Sequence, residues 1–238
     1  MTERDINADM VMLRGYNSPL LFLLITNSFM KKGANVMTRE SDAYIDLTNI
    51  LSNPTELSPC AYQYYKNLLK RTIVFNEDVA GDIMEKFTLP LLEWDNDGTG
   101  EPITIYLTSV GGSLFDGITL CDIIDNLKTP TTIIVVSYAY SMGGLICMAG
   151  YNNPNVTKKC YKHSTALIHS GSTYLEGNTN AVKDQFKFHE KFEQKIKDYV
   201  LSHTKFTAKE YAKIERQEYY MVAEEMLEKG MVDEIIGV

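Results

Sequence analysis

Two residues able to run an acyl transfer stand 28 positions apart, each directly after an apolar or strand-like stretch. They are Ser141, in Tyr140-Ser141-Met142-Gly143-Gly144, and His169, after Thr165-Ala166-Leu167-Ile168. A serine hydroxyl is a weak nucleophile until a neighbouring base takes its proton, and imidazole is the usual base near neutral pH. Ser141 follows a buried-looking strand, Thr131 to Val136, and leads a short helix with two early glycines. A helix start offers unpaired N–H groups and the positive end of a dipole, both of which favour developing negative charge. Glycines there admit a substrate backbone at close range. The same position also suits an N-cap serine, and the local pattern fits both readings. His169 stands at the C-terminal end of a strand, the edge at which parallel sheets form their clefts. A hydrogen-bonded core histidine fits that place equally well.

A second glycine pair, Gly111-Gly112, lies between the strand Ile103 to Leu107 and the helix that Ser113 opens. Its backbone N–H groups could face an oxyanion, or the pair could form an ordinary tight turn. The spacings G-x-G-x-x-G and G-x-x-x-x-G-K are both missing from the chain, which removes a nucleotide-phosphate loop. His163 reads as exposed, His189 sits within a long helix, and His203 lies near that helix's end, where a cation suits the dipole. No two histidines have metal-ligand spacing with a supporting carboxylate, so neither a metal nor another cofactor is expected.

The elements that must position these residues alternate strand and helix. Arg71 to Phe75 reads as a β-branched strand, and Ile83, Phe87 and Leu91 line one face of a helix over residues 80–92. The turn-rich Asp95 to Gly100 follows. Ser113 opens a helix with Leu114, Ile118, Cys121 and Ile124 along one side, stopped at Thr129-Pro130. A helix from about Asn180 to His203, roughly 36 Å long at 1.5 Å per residue, exceeds what one compact domain needs and is expected to reach another subunit. A last helix through Met226 ends at Lys229-Gly230, a basic turn and a glycine cap. This alternation predicts an α/β fold with largely parallel pairing. Residues 1–61 show no sustained period and include the turn-rich Ser52 to Pro59. They are expected to form an N-terminal extension to a domain over 62–238.

With 45% apolar and 23% charged residues, the chain can bury a sizeable core. The net charge of −8 repels phosphate backbones, so nucleic acid is not an expected partner. The four cysteines form no C-x-x-C pair, and three sit in apolar or strand-like stretches, which reads as buried thiols in a reducing compartment. The apolar run Leu20 to Ile25 has six residues, against the roughly 20 that span a bilayer. The opening Met1-Thr2-Glu3-Arg4-Asp5 mixes both charge signs, so a cytoplasmic protein with no membrane partner is expected.

Five segments in order resemble the proteolytic subunit of the Clp protease: Tyr65 to Asp78, Ile105 to Ser113, Ser137 to Gly144, Leu167-Ile168-His169, and Ala223 to Ile236. The second is similar to that family's strand and Ser-Pro-Gly-Gly turn, the third to its nucleophile turn, and the fourth to its Met-Ile-His. The resemblance implies a spiral of repeated β-β-α units with a long protruding helix. It implies a serine endopeptidase in which Ser141 attacks, His169 is the general base, and the N–H groups of Gly112 and Met142 form the oxyanion hole. Gly111, Ser113 and Leu114 would hold the substrate as an added strand. Glu218, in Arg216-Gln217-Glu218-Tyr219-Tyr220, falls where the family has the aspartate that orients the histidine. Glutamate can do the same work with one methylene more of reach.

The resemblance also implies two stacked rings of identical subunits enclosing the active sites, polypeptide substrates, and an ATP-driven AAA+ unfoldase partner. Tyr106 falls at a position that helps form the unfoldase's docking pocket. Residues 1–61 exceed the usual leader and would be a propeptide, a gating segment or a docking segment. Val110 stands in place of the usual proline, Tyr140 in place of a small residue, and Ser137 in place of a glycine. With Glu218, Tyr140 leaves open a catalytically impaired ring scaffold. A crotonase-type acyl-CoA enzyme shares the fold but has no evident use for the Ser141–His169 pair.

Overall fold

A computed structural model describes residues 58–238. The run Leu20 to Ile25, and the expected extension up to residue 57, lie outside the described residues. Helix α1 (Pro59–Leu68) begins at Ser58, whose Oγ accepts from the Ala61 N–H at 3.2 Å. Pro59 occupies the first turn, where a missing N–H removes no helical bond. This helix crosses residue 61, the point at which the sequence pattern changes.

The strands are β1 (Thr72–Phe75), β2 (Ile103–Ser109), β3 (Thr131–Tyr140), β4 (Val156–Tyr161), β5 (Thr165–Ile168), β6 (Tyr219–Val222) and β7 (Glu234–Ile236). They form one seven-stranded sheet, with β1-β2-β3-β4-β7 along its main path and every pair on that path parallel. Strand β5 pairs parallel with β3 and antiparallel with β6. Strand β2 alternates strictly, with Ile103, Ile105 and Leu107 in the core and Thr104, Tyr106 and Thr108 on the half-exposed face. The class is the α/β fold that the alternation of elements predicts.

Strand β3 runs four residues beyond the expected end at Val136, because it changes partner midway. Thr131 to Val135 pairs with β4, and Tyr138 to Tyr140 pairs with β5. The sheet forks there, and Tyr140 is set directly beside Leu167. Strand β4 has no counterpart in the sequence reading because two lysines mask its period. Lys158 is 1% exposed, with its ammonium 4.7 Å from the centre of the Tyr151 ring and 3.5 Å from Asp233.

The segment expected as one helix over residues 80–92 divides into a π-helical turn (Met84–Thr88) and helix α2 (Leu89–Asn96). Ile83, Phe87 and Leu91 are all buried, so the apolar face is as the spacing predicts while the winding differs. Helix α3 (Leu114–Asp125) is capped by Ser113, and α4 (Met142–Met148) follows Ser141. Helix α5 (Thr179–Ser202) has 24 residues, of which Val200 alone is buried, so it protrudes. Helices α6 (Ala208–Ile214) and α7 (Ala223–Glu228) flank β6. Among the described residues no helix is long and apolar enough to cross a membrane. Cys121, Cys147 and Cys160 are buried, and Cys60 is exposed.

Candidate active site

Ser141 has φ 54° and ψ −120°, one of two non-glycine residues with positive φ among those described. An L-residue holds that conformation only where its surroundings over-determine it. Here its N–H donates to the Leu167 carbonyl at 2.9 Å, and its carbonyl accepts from the Gly144 N–H at 2.9 Å. The turn is also pressed from below. A Cβ on Gly111 would come within 2.7 Å of the Ser141 Cβ, and one on Gly143 within 2.8 Å of the Ser109 carbonyl oxygen. The hydroxyl makes no capping bond to α4. It lies instead 2.9 Å from His169 Nε2.

The Gly111-Gly112 turn is fixed from one side. The Val79 N–H donates to Gly111 O at 2.8 Å and the Ser113 N–H to Val79 O at 2.7 Å, a parallel bridge centred on Gly112. In such a bridge the middle residue's own N–H and C=O point away from the partner. Met142 is the first residue of α4, so its N–H has no acceptor within the helix. Gly112, Ser113, Leu114, Ser141, Met142 and His169 all line one cleft of ≈ 1210 Å³. Gly111 lies beneath Ser141 rather than in the wall. The Ser113 hydroxyl accepts from the Asp116 N–H at 3.4 Å, a cap for α3.

The β5–β6 register pairs Leu167 with Tyr220 and Ile168 with Tyr219. One further step of the same register sets His169 opposite Glu218, as a cross-strand pair. Glu218 Oε1 lies 3.9 Å from His169 Nδ1, outside hydrogen-bonding range, and the carboxylate side chain is 56% exposed. Its other oxygen accepts from the Tyr220 hydroxyl at 2.8 Å, which raises the Tyr220 phenol above its ordinary range. Tyr140 turns from the serine toward the neighbouring strand, and its hydroxyl is 2.8 Å from Thr165 Oγ1. Its ring stands edge-on to that of Tyr220, with centroids 5.9 Å apart.

Burial removes the interior thiols as rival nucleophiles. It pushes the Cys147 thiol up to about 12 and that of Cys160 up to about 11, so neither supplies a thiolate. Among the described residues no cluster of histidine, cysteine and carboxylate groups could hold a metal ion.

The model of the Clp protease family matches residues 56–238. The chain belongs to the Clp protease family. It is 28% identical over 177 residues to a protein of Deinococcus radiodurans named ATP-dependent Clp protease proteolytic subunit, covering 74% of this chain and 85% of that one. It is 28% identical over 172 residues to ATP-dependent Clp protease proteolytic subunit 2 of Prochlorococcus marinus, covering 71% and 82%. With subunit 1 of Salinibacter ruber it shares 26% identity over 181 residues.

Within this Clp-family fold, the residues singled out in the sequence fall into three groups. Ser141 and His169 are in contact, and Gly112, Met142, Ser113 and Leu114 surround them. Glu218 stands behind His169 and outside the cleft wall. Tyr106 lies on the half-exposed sheet face, in register with Val74 and Ile134, away from the cleft lining. Sequence reading passed over Val79 and Tyr220. The period-2 spacing from Glu218 to Tyr220 was the available signal for the second; a backbone clamp by Val79 leaves no side-chain signature.

Proposed function

We propose that this chain is the proteolytic subunit of a Clp-type protease, a serine endopeptidase acting on unfolded polypeptides. The observation that carries this reading is the 2.9 Å contact between Ser141 Oγ and His169 Nε2 at a strained strand-to-helix turn. With the imidazole proton on Nδ1, toward Glu218, Nε2 is free to accept from the serine hydroxyl. Ser141 attacks the peptide carbonyl as His169 takes its proton, and the imidazolium then delivers that proton to the leaving amine. Water repeats the sequence on the acyl-enzyme. The Gly112 and Met142 N–H groups bind the oxyanion, the segment from Gly111 through Ser113 to Leu114 receives the substrate as an added strand, and Glu218 stabilises the imidazolium.

In this proposal residues 62–238 form the peptidase domain, and residues 1–61 precede it as a removable, gating or docking segment. The subunits stack as two rings in the cytoplasm and enclose the cleft. An ATP-driven unfoldase docks on the sheet face that carries Tyr106. The relatives named above as ATP-dependent proteolytic subunits, together with the exposed helix α5, support that assembly.

The test is a serine-directed fluorophosphonate applied to the assembled protein, with the adduct located by mass spectrometry. Label on Ser141, with peptide hydrolysis lost in parallel, is expected. An assembled protein that takes no label would point to a ring scaffold instead.

A further inference from the structure

We propose that Tyr220 is a positioning residue, whose phenol holds the Glu218 carboxylate against His169. This rests on the serine-peptidase reading above. A glutamate that is half exposed and has three rotatable bonds samples many rotamers, and an orienting carboxylate that wanders does little for an imidazole. One oxygen of Glu218 is pinned by the Tyr220 hydroxyl at 2.8 Å, and the other is left facing His169 Nδ1 at 3.9 Å. With one oxygen fixed, a small rotation of the carboxylate closes the remaining gap as the imidazole gains its second proton.

The phenol can serve as an anchor because it is itself held. Tyr220 is a β6 residue paired with Leu167, which in turn pairs with Tyr140. Its ring meets that of Tyr140 edge-on, and Tyr140 is tied to Thr165 by a 2.8 Å hydrogen bond. Tyr138 lies 5.1 Å from Tyr140, ring centre to ring centre. Two tyrosines of β3 and one of β6 therefore form one line of aromatic contacts across β5, and its far end carries the carboxylate. Two features of the chain are thereby joined: the bulky residue beside the nucleophile, and an acid one methylene longer than aspartate. The tyrosines supply the support that the longer acid lacks.

The experiment is a four-protein cycle on the full-length assembled chain: unaltered, Tyr220→Phe, Glu218→Asp, and both together, with kcat and KM measured on a fluorogenic peptide. Tyr220→Phe keeps the ring against Tyr140 and removes only the hydroxyl. It is expected to lower kcat about five- to tenfold at unchanged KM and unchanged melting temperature. In the Glu218→Asp background the same change is expected to do nothing, because the shorter side chain does not reach the phenol. An equal fall in both backgrounds would mean a structural role and overturn the proposal. So would full or increased activity in Tyr220→Phe while the unaltered protein labels at Ser141. Absence of both label and hydrolysis in the unaltered protein overturns the peptidase reading itself, and this inference with it.

Discussion

Among the described residues a carboxylate, an imidazole and a phenol come together twice. Near the cleft they are Glu218, His169 and Tyr220; at the far end of α5 they are Asp125, His203 and Tyr199. In the second set Asp125 Oδ2 accepts from the Tyr199 hydroxyl at 3.0 Å and from His203 Nε2 at 3.1 Å. Its other oxygen accepts from the Gly150 N–H at 2.5 Å. The Tyr199 and His203 rings stack 3.8 Å apart, and the His203 and Asp125 side chains are 14% and 19% exposed. Burial raises the affinity of Asp125 for a proton, but the bonds from His203 and Gly150 outweigh it and hold the carboxyl below its ordinary value. His203 Nδ1 lies 2.9 Å from the Tyr199 carbonyl. Every polar atom there is occupied, so the cluster ties the ends of α3, α4 and α5 together and has nothing to offer a substrate. The looser set has the poorer hydrogen bonding and the better access, and it alone opens on the cleft; Ser202 Oγ also lies 2.9 Å from His203 Nδ1, but its hydroxyl is committed to the Tyr199 carbonyl at 3.0 Å. Tight geometry among these residue types marks a structural joint; a cleft and a hydroxyl not spent on a helix carbonyl mark chemistry.

The sharpest way to break this contrast is Ser141→Ala. It should lower kcat by at least about 10³-fold with little change in melting temperature, measured by peptide hydrolysis and calorimetry. Asp125→Ala should do the reverse. Breaking a partly buried, multiply bonded carboxylate should cost about 2–3 kcal/mol in denaturant unfolding, discounted for its residual exposure, with kcat per folded site unaltered. Glu218→Gln should lower kcat about tenfold, or about 1.4 kcal/mol of barrier, and leave stability alone. Unchanged hydrolysis in that variant would remove Glu218 from the mechanism.

The smallest effect is in acid. Because the folded-state value of Asp125 is depressed, its stabilisation is complete above the ordinary aspartate value of 3.8 and is lost as the pH falls through the lower folded value. Melting temperature should therefore drop below about pH 4, and Asp125→Asn should flatten that part of the profile.

Much of this was legible in the chain. Ser141 and His169 stand after apolar strands and beside glycines, a pattern that local chemistry writes directly into sequence. The long helix was readable from its stripe of Val182, Phe186, Phe192 and Ile196. Strand β4 was hidden because Lys158 is buried, its charge answered by Asp233 and an aromatic face that a linear reading cannot place nearby. Strand β6 and its Tyr220 were hidden for a related reason. Their partners lie about fifty residues upstream on β5, and the antiparallel register that brings Glu218 opposite His169 exists only once the sheet has formed. The division of residues 84–96 into π and α turns also escaped, since a spacing of four serves both windings.

The fork in β3 has a mechanical consequence. Ser141 rides on the trunk of the sheet, wedged against β2 by Gly143, whereas His169 and Glu218 sit side by side on the two-stranded β5–β6 branch. A displacement of that branch along β3 carries His169 and Glu218 together as one piece. It stretches the Ser141 Oγ–His169 Nε2 contact together with the Ser141 N–H bond to the Leu167 carbonyl and the short β3–β5 ladder, and leaves the His169–Glu218 pair intact. Strain on that branch would thus be felt at its junction with β3, like a clutch that parts Ser141 from His169 while His169 and Glu218 stay engaged.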